Sequence, residues 1–315
     1  MGRFKDDFAR IYKGMGLNAA LSLIFIPRLL RRFGFKYYEQ SKVVDRFISK
    51  NFSSIVDKYV ELTSQDFNDF IPDIIWVFWW QGVNEMPNVI IECYESIIRN
   101  SNGRKVILLS SDNYQDYINV PLYVQDKVSN GVLSFTHFSD FLRVALLRKY
   151  GGLWIDAAIF VTKTIPNFST SFYSPKLSKM PIESPHLSLW VIGVMGSVPN
   201  MPLFNYLYEM LDYYWATYDS FFSYLMFDYF IRYGYEHFTW LRDLIDNREI
   251  DSPDLHWSRY MFTREVDYDK MNQLLLNNTF ISLTYRLKYP MKLANGRDTF
   301  YSALLKRYGR YPVID

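Results

Sequence analysis

Sulfur and imidazole are scarce in this sequence: its 315 residues include one cysteine, Cys93, and four histidines. A lone thiol forms no internal disulfide, and no apolar leader with a small-residue cleavage site is evident, so a reducing, cytoplasmic setting is expected. None of the histidines stands at metal-site spacing from another. Long apolar runs are missing as well. The uncharged stretch Gly14 to Pro27 is too short to cross a bilayer, and Leu187 to Tyr208 is interrupted by Gly193, Gly196, Pro199 and Pro202. It reads as buried core and connection, and no transmembrane helix is expected. There is no P-loop, no GxSxG nucleophile, no Cys-His pair in a catalytic context and no basic-aromatic repeat. These absences remove the P-loop NTPase, serine-hydrolase, thiol-protease and nucleic-acid-binding classes.

What is present is apolar and aromatic. Apolar residues make up 49% of the chain and Phe, Tyr and Trp 19%, ample material for one large α/β domain with an appendage or for two domains. The net charge of +2 hides an uneven distribution: residues 1 to 50 carry eleven Lys or Arg against four acids. This segment, to about residue 66, has helical spacing, with Leu17, Leu21, Ile24 or Phe25 and Leu29 in one stripe and Arg28, Arg31, Arg32 and Lys36 following it. A basic amphipathic helix of this kind suits the surface of an anionic membrane. It equally suits a helical collar packed on the rest of the chain with its arginines solvated, and the sequence leaves both open.

Beyond residue 66 the periodicity alternates. Ile74 to Trp80, started by Pro72, is short and rich in β-branched and aromatic residues, which predicts a buried parallel strand. Its alternation puts Ile75, Val77 and Trp79 on one face and Trp76, Phe78 and Trp80 on the other. A helix over Pro87 to Asn100, a strand over Lys105 to Leu109 and a broken helix over Tyr114 to Ser129 follow. This order predicts a doubly wound α/β sheet with helices on both faces. After Pro166 the chain becomes loop-rich. Helices are expected around Phe204 to Trp215, Phe221 to Tyr233 and Phe238 to Asp246, with a late strand over Phe280 to Tyr285.

The most informative stretch runs from Thr136 to Ile159, THFSDFLRVALLRKYGGLWIDAAI. Phe138 to Tyr150 has helical spacing, and Asp140 and Arg143, three apart, share one face. Gly151 and Gly152 permit a sharp turn from helix into the strand Leu153 to Ile155. Asp156 then stands at the carboxyl end of a strand, where open α/β sheets bind ligands. Two acids and a guanidinium in this order suit a pocket for a sugar carried on a nucleoside diphosphate.

The segment SDFLRVALLRKYGGLWIDA, preceded by IPDIIWVFWWQG at Ile71 to Gly82, resembles the capsular polysaccharide synthesis family of glycosyltransferases, relatives of the DxD sugar-transferring enzymes and the glucosylating clostridial toxins. The resemblance is specific from about Ile71 to about Thr164 and looser to Arg286. It implies a GT-A-type mixed sheet over residues 67–315, with residues 1–66 as a helical extension. It further implies retaining transfer of a hexose from a UDP-sugar, UDP-galactose ahead of UDP-glucose, to a sugar on an undecaprenyl diphosphate carrier at the inner face of a bacterial membrane. By the same resemblance Trp79 stacks on uracil, Asp140 and Arg143 contact ribose and donor sugar, and Asp156 contacts the donor and a Mn2+ or Mg2+ ion. The DxD position reads Asp156-Ala157-Ala158, so the second acid is absent. That departure leaves room for a rival, a catalytically silent protein that binds a UDP-sugar or an assembly partner.

Other side chains could complete such a site. Arg286, in a fragment Leu283-Thr284-Tyr285-Arg286 that resembles a late LTYK motif of the family, or Lys288 could neutralise a diphosphate; both could equally be solvated. His256, in SPDLHW, could reach a diphosphate-bound ion or be an ordinary half-buried histidine. Ser139 could cap the helix that follows it or bond the donor. Asp228 interrupts an apolar helix and could orient an acceptor or serve as a paired helix acid.

Overall fold

A computed structural model describes residues 2–32, 37–62, 70–178 and 184–308. Strand β1 (Ile74–Phe78) lies between β2 (Lys105–Leu109) and β3 (Gly152–Ile155), all three parallel. On the far side of β3 lie β6 (Val194–Ser197) and β5 (Phe172–Tyr173), each antiparallel to its neighbour, which gives the order β2-β1-β3-β6-β5. A small antiparallel pair, β4 (Ile159–Val161) with β7 (Phe280–Ser282), stands apart. The expected mixed sheet flanked by helices is therefore present. Strand β6 lies inside the stretch read as core and connection, because glycines and flanking prolines there hide a four-residue strand buried throughout.

The alternation along β1 sorts two cores. Trp76 and Phe78 face a layer built from α7 (Leu122–Ser129), α8 (Phe135–Tyr150), α9 (Pro202–Thr217), α10 (Met226–His237) and α11 (Thr239–Asp246). Ile75 and Val77 face the opposite layer, where α6 (Asn88–Arg99), α13 (Tyr268–Asn277) and α14 (Phe300–Arg307) pack with β4 and β7. A short helix, α12 (Ser258–Met261), precedes α13. Both faces of β1 are covered, which explains its unbroken apolar sequence.

The N-terminal helices α1 (Gly2–Met15), α2 (Leu17–Ala20), α3 (Ile26–Arg32), α4 (Tyr37–Asn51) and α5 (Ser53–Val60) join the first of these cores through Ile11, Ala20, Leu23, Ile48 and Phe52. Polar contacts fix the packing: Trp240 donates to the Tyr59 carbonyl at 2.8 Å, and Tyr59 and Lys58 both reach Glu209. The segment is thus packed against the α/β body as a collar. Lys36, counted with its basic residues, lies outside the described residues.

Helix α8 starts three residues earlier than its spacing suggests. Ser134 is its cap, accepting from the His137 N–H, so Ser139 lies one turn inside and bonds back to the Thr136 carbonyl at 2.6 Å. The helix ends at Gly151, and both Gly151 and Gly152 have positive φ, 65° and 90°. Any Cβ there would also collide: at Gly151 it would lie 2.5 Å from the Ser197 carbonyl oxygen, and at Gly152 2.7 Å from that of Ile74. Only glycine permits this turn.

Candidate active site

Helix α8 and strand β3 run back to back from the Gly151-Gly152 turn, and their lengths match. Ten helical residues from Tyr150 back to Asp140 span about 15 Å, and four strand residues from Gly152 to Asp156 span about 13 Å. Asp156 therefore comes level with the second turn of α8. The Arg143 side chain, leaning toward the helix N-terminus as helical side chains do, sits between the two acids: Nη1 donates to Asp140 Oδ1 at 2.6 Å and Nη2 to Asp156 Oδ1 at 3.0 Å. The Trp154 indole donates to the same Asp156 oxygen at 2.7 Å. The guanidinium carbon lies 5.0 Å from the Trp154 ring centre and 5.3 Å from that of Phe227.

Exposure divides the three. Asp140 and Arg143 are 4% and 1% exposed, whereas 41% of the Asp156 side chain is open to solvent. Burial pushes the Asp140 carboxyl up to about 6, against the pull of Arg143 and with a further push from Asp156. Burial alone would lower Arg143, but the two carboxylates outweigh it and its pKa is raised. The cluster is a supported acid, with Asp156 as its accessible end.

That end opens on a cleft of about 480 Å³. Gly193, just before β6, accepts the Asp156 N–H at 2.8 Å, and a Cβ on Gly193 would lie 2.9 Å from Asp156 Oδ2. Across the cleft, Asp228 of α10 accepts from the Trp190 indole at 2.9 Å and is 3% exposed. Burial raises Asp228 to about 7; the Trp190 bond opposes this, Asp140 adds to it and Arg143 counters. Asp228 thus belongs to the same electrostatic group although it is remote in sequence. His256 also lines the cleft, its ring 5.6 Å from that of His186. Burial drives His256 down to about 3 and His186 to about 4, so both are neutral imidazoles, and His256 Nδ1 is buried without a partner among the described residues.

None of the remaining sequence candidates, Trp79, Arg286, Ser139 and Lys288, lines this cleft. Trp79 follows β1 at the carboxyl edge of the sheet, half-buried, its ring edge-on to Tyr285 at 5.5 Å and its buried Nε1–H without a partner among the described residues. Arg286 is exposed, and interactions with Tyr285 and then Tyr224 raise its pKa. Because Tyr224 lines the cleft, the Tyr285-Arg286 turn connects Trp79 to it. Ser139 is occupied by its own helix backbone. Lys288 is exposed and does not line the cleft. Sequence reasoning passed over Gly193, Trp190, Tyr224 and His186. Trp154 lies inside the motif, and its position two before Asp156 was the one local signal. Among the described residues no group of three or more His, Cys, Asp or Glu side chains is gathered as for a metal ion.

A mixed sheet with a supported acid at the carboxyl ends of its parallel strands, opening on a cleft, defines a ligand-binding α/β protein of the open-sheet type. A family model described as capsular polysaccharide synthesis protein matches residues 32–304, and the chain belongs to that family. The match starts within the N-terminal helices, earlier than the motifs that carry the sequence resemblance. An uncharacterised glycosyltransferase of Acanthamoeba polyphaga mimivirus is 24% identical over 147 residues, an alignment covering 44% of this chain and 55% of that protein. The chain thus spans about half the length of the curated relative it matches. Among solved structures, the PaToxG glycosyltransferase is similar at 14% identity and a TM-score of 0.38, over 63% of this chain and 79% of that one.

Proposed function

We propose that the chain is a retaining hexosyltransferase that moves a hexose from a UDP-sugar, UDP-galactose first and UDP-glucose next, to a lipid-linked oligosaccharide in capsule or exopolysaccharide assembly. The undecaprenyl diphosphate carrier of that acceptor would hold the work at the inner face of the membrane. One observation supports this reading above the others: Asp140, Arg143 and Asp156 converge beside a cleft of about 480 Å³ at the carboxyl edge of the sheet. Family membership supports the same direction.

In this reading Asp156 is the residue that touches the donor, its carboxylate accepting from sugar or ribose hydroxyls. Asp140 and Arg143, buried beneath it, are positioning residues that fix its orientation. The bond from the anomeric carbon to the diphosphate oxygen breaks while an acceptor hydroxyl oxygen bonds to the same face of that carbon. The hydroxyl proton passes to the departing diphosphate, so no protein nucleophile is required. In the same reading Trp79, at the end of β1, stacks on uracil and Arg286 meets diphosphate oxygens.

The donor set suits a hard divalent ion, Mn2+ or Mg2+, held largely by substrate. Asp156 Oδ2 has no protein partner among the described residues, and His256, a neutral imidazole, lines the same cleft. Such ions commonly take one or two carboxylates and complete their shell with phosphates and water. When bound, the ion would offset the charge of the leaving diphosphate.

The missing second acid favours the rival reading, a silent UDP-sugar binder: Ala158 stands where that acid would be, packed against the core below the sheet. Incubation with UDP-galactose, UDP-glucose and their N-acetyl forms, with and without Mn2+, decides between the two. The transferase reading expects UDP release from one donor and its loss, by a hundredfold or more, in Asp156→Asn with the fold retained. Binding of UDP without turnover, even with a lipid-linked acceptor supplied, establishes the binder.

A further inference from the structure

The N-terminal helices bury one side and leave another bare. Ala19, Ala20 and Leu23 sit in the core, whereas Leu17, Leu21, Phe25, Ile26 and Leu29 are each 38% to 52% exposed. Leu17, Leu21, Phe25 and Leu29 recur every fourth residue. On a regular helix such a repeat drifts steadily around the axis. Here the turn Leu21–Phe25 is a π-helix, and its wider winding offsets that drift and keeps the apolar side chains in one stripe.

Beside the stripe lies a groove of about 390 Å³ between this helix and α4. Ala19, Ile26 and Phe47 give it apolar walls, and Ile26 belongs to the stripe as well. Arg46 and Lys50, one helical turn apart on α4 and both exposed, also line it, and among the described residues no carboxylate does. Neither cation is in an ion pair with a described residue.

We propose that this face docks on an anionic lipid bilayer, the stripe entering the boundary between headgroups and acyl chains while Arg46 and Lys50 meet headgroup phosphates. The proposal deepens the reading above, in which the acceptor is carried in the membrane. Charge complementarity selects the occupant: a cationic groove continuous with an apolar stripe matches a surface that is apolar below and anionic above. A second copy of this chain matches poorly, because a two-fold contact through the face would bring the Arg46 and Lys50 groups of both copies together.

Flotation of the full chain with vesicles of phosphatidylglycerol or of phosphatidylcholine tests this. Binding is expected to the anionic vesicles and to weaken with salt. The pair Arg46→Gln and Lys50→Gln should lower it roughly 25-fold, about fivefold per cation, and Leu21→Glu with Phe25→Glu should lower it tenfold or more. Both double variants alter exposed side chains and should release UDP from donor without lipid as the parent does. No flotation with phosphatidylglycerol, equal flotation with both lipids, or undiminished flotation of either variant overturns the proposal. A variant that turns a dimer into a monomer with vesicle binding unchanged also overturns it. Flotation retained by a protein that releases no UDP from any donor supports the docking face and removes the transferase reading instead.

Discussion

Arg143 holds Asp156 from behind, its Nη2 at 3.0 Å from Oδ1, while its Nη1 grips the buried Asp140. A planar fork can serve two carboxylates at once; an ammonium is a single point charge. Arg143→Lys is therefore expected to leave one acid unsupported and to lower donor turnover tenfold or more, with substrate KM less affected than kcat. Arg143→Ala should in addition destabilise the fold by about 3–5 kcal/mol, since it strands a buried carboxylate. Urea unfolding and steady-state kinetics of both variants check this.

Gly193 lies so close to Asp156 that a methyl group would meet Oδ2 at 2.9 Å. The carboxylate is tethered on its other oxygen by Arg143 and Trp154 and has little room to retreat. Gly193→Ala should thus displace the acid and lower UDP release at least tenfold while melting within a few degrees of the parent. Unaltered turnover would mean that the position of Oδ2 is unimportant.

Asp228 carries a pH signature. Its folded pKa, about 7, is above the ordinary 3.8, so the folded protein holds the proton more tightly than the unfolded chain. By linkage, this group makes stability fall as pH rises from about 4 to about 7, and the deficit is complete above 7. Asp228→Asn keeps an oxygen for the Trp190 indole and removes the titration. Its stability relative to the parent should therefore grow across that window and level off above it, as measured by denaturant melts at several pH values.

Trp79 offers a test of the uracil assignment. Stacking of a base on an aromatic ring contributes about 1–3 kcal/mol, so Trp79→Ala should weaken UDP binding roughly tenfold or more in calorimetry. Trp79→Phe keeps an aromatic face against Tyr285 and should recover part of the loss. Equal affinity in both variants and the parent would remove Trp79 from the base site.

The legible part of this site is the part that is local in sequence. Asp140, Arg143, the glycine pair and Asp156 span one helix, one turn and one strand, and their periodicity and turn chemistry place them together. The alternation of β1 likewise foretold which side chains face each core. Asp228, Gly193 and Trp190 reach the same cleft from beyond residue 189, and no repeat or spacing records such distant contacts. Ser139 misled because a serine next to an apolar run resembles a cap, while Ser134 had already taken that place. The N-terminal stripe was readable as amphipathic, but only packing showed that Ala19, Ala20 and Leu23 face inward and Leu17, Leu21, Phe25 and Leu29 outward.

The glycine pair has an evolutionary consequence. Since Gly151 and Gly152 are wedged against β6 and β1, the turn that joins the arms carrying the acids is packed on the sheet rather than on the opposite wall of the cleft. Tyr224, Trp257 and Tyr260 on that wall come from later segments with no share in the elbow. Substitutions at these three positions can therefore alter what the cleft admits without disturbing the elbow.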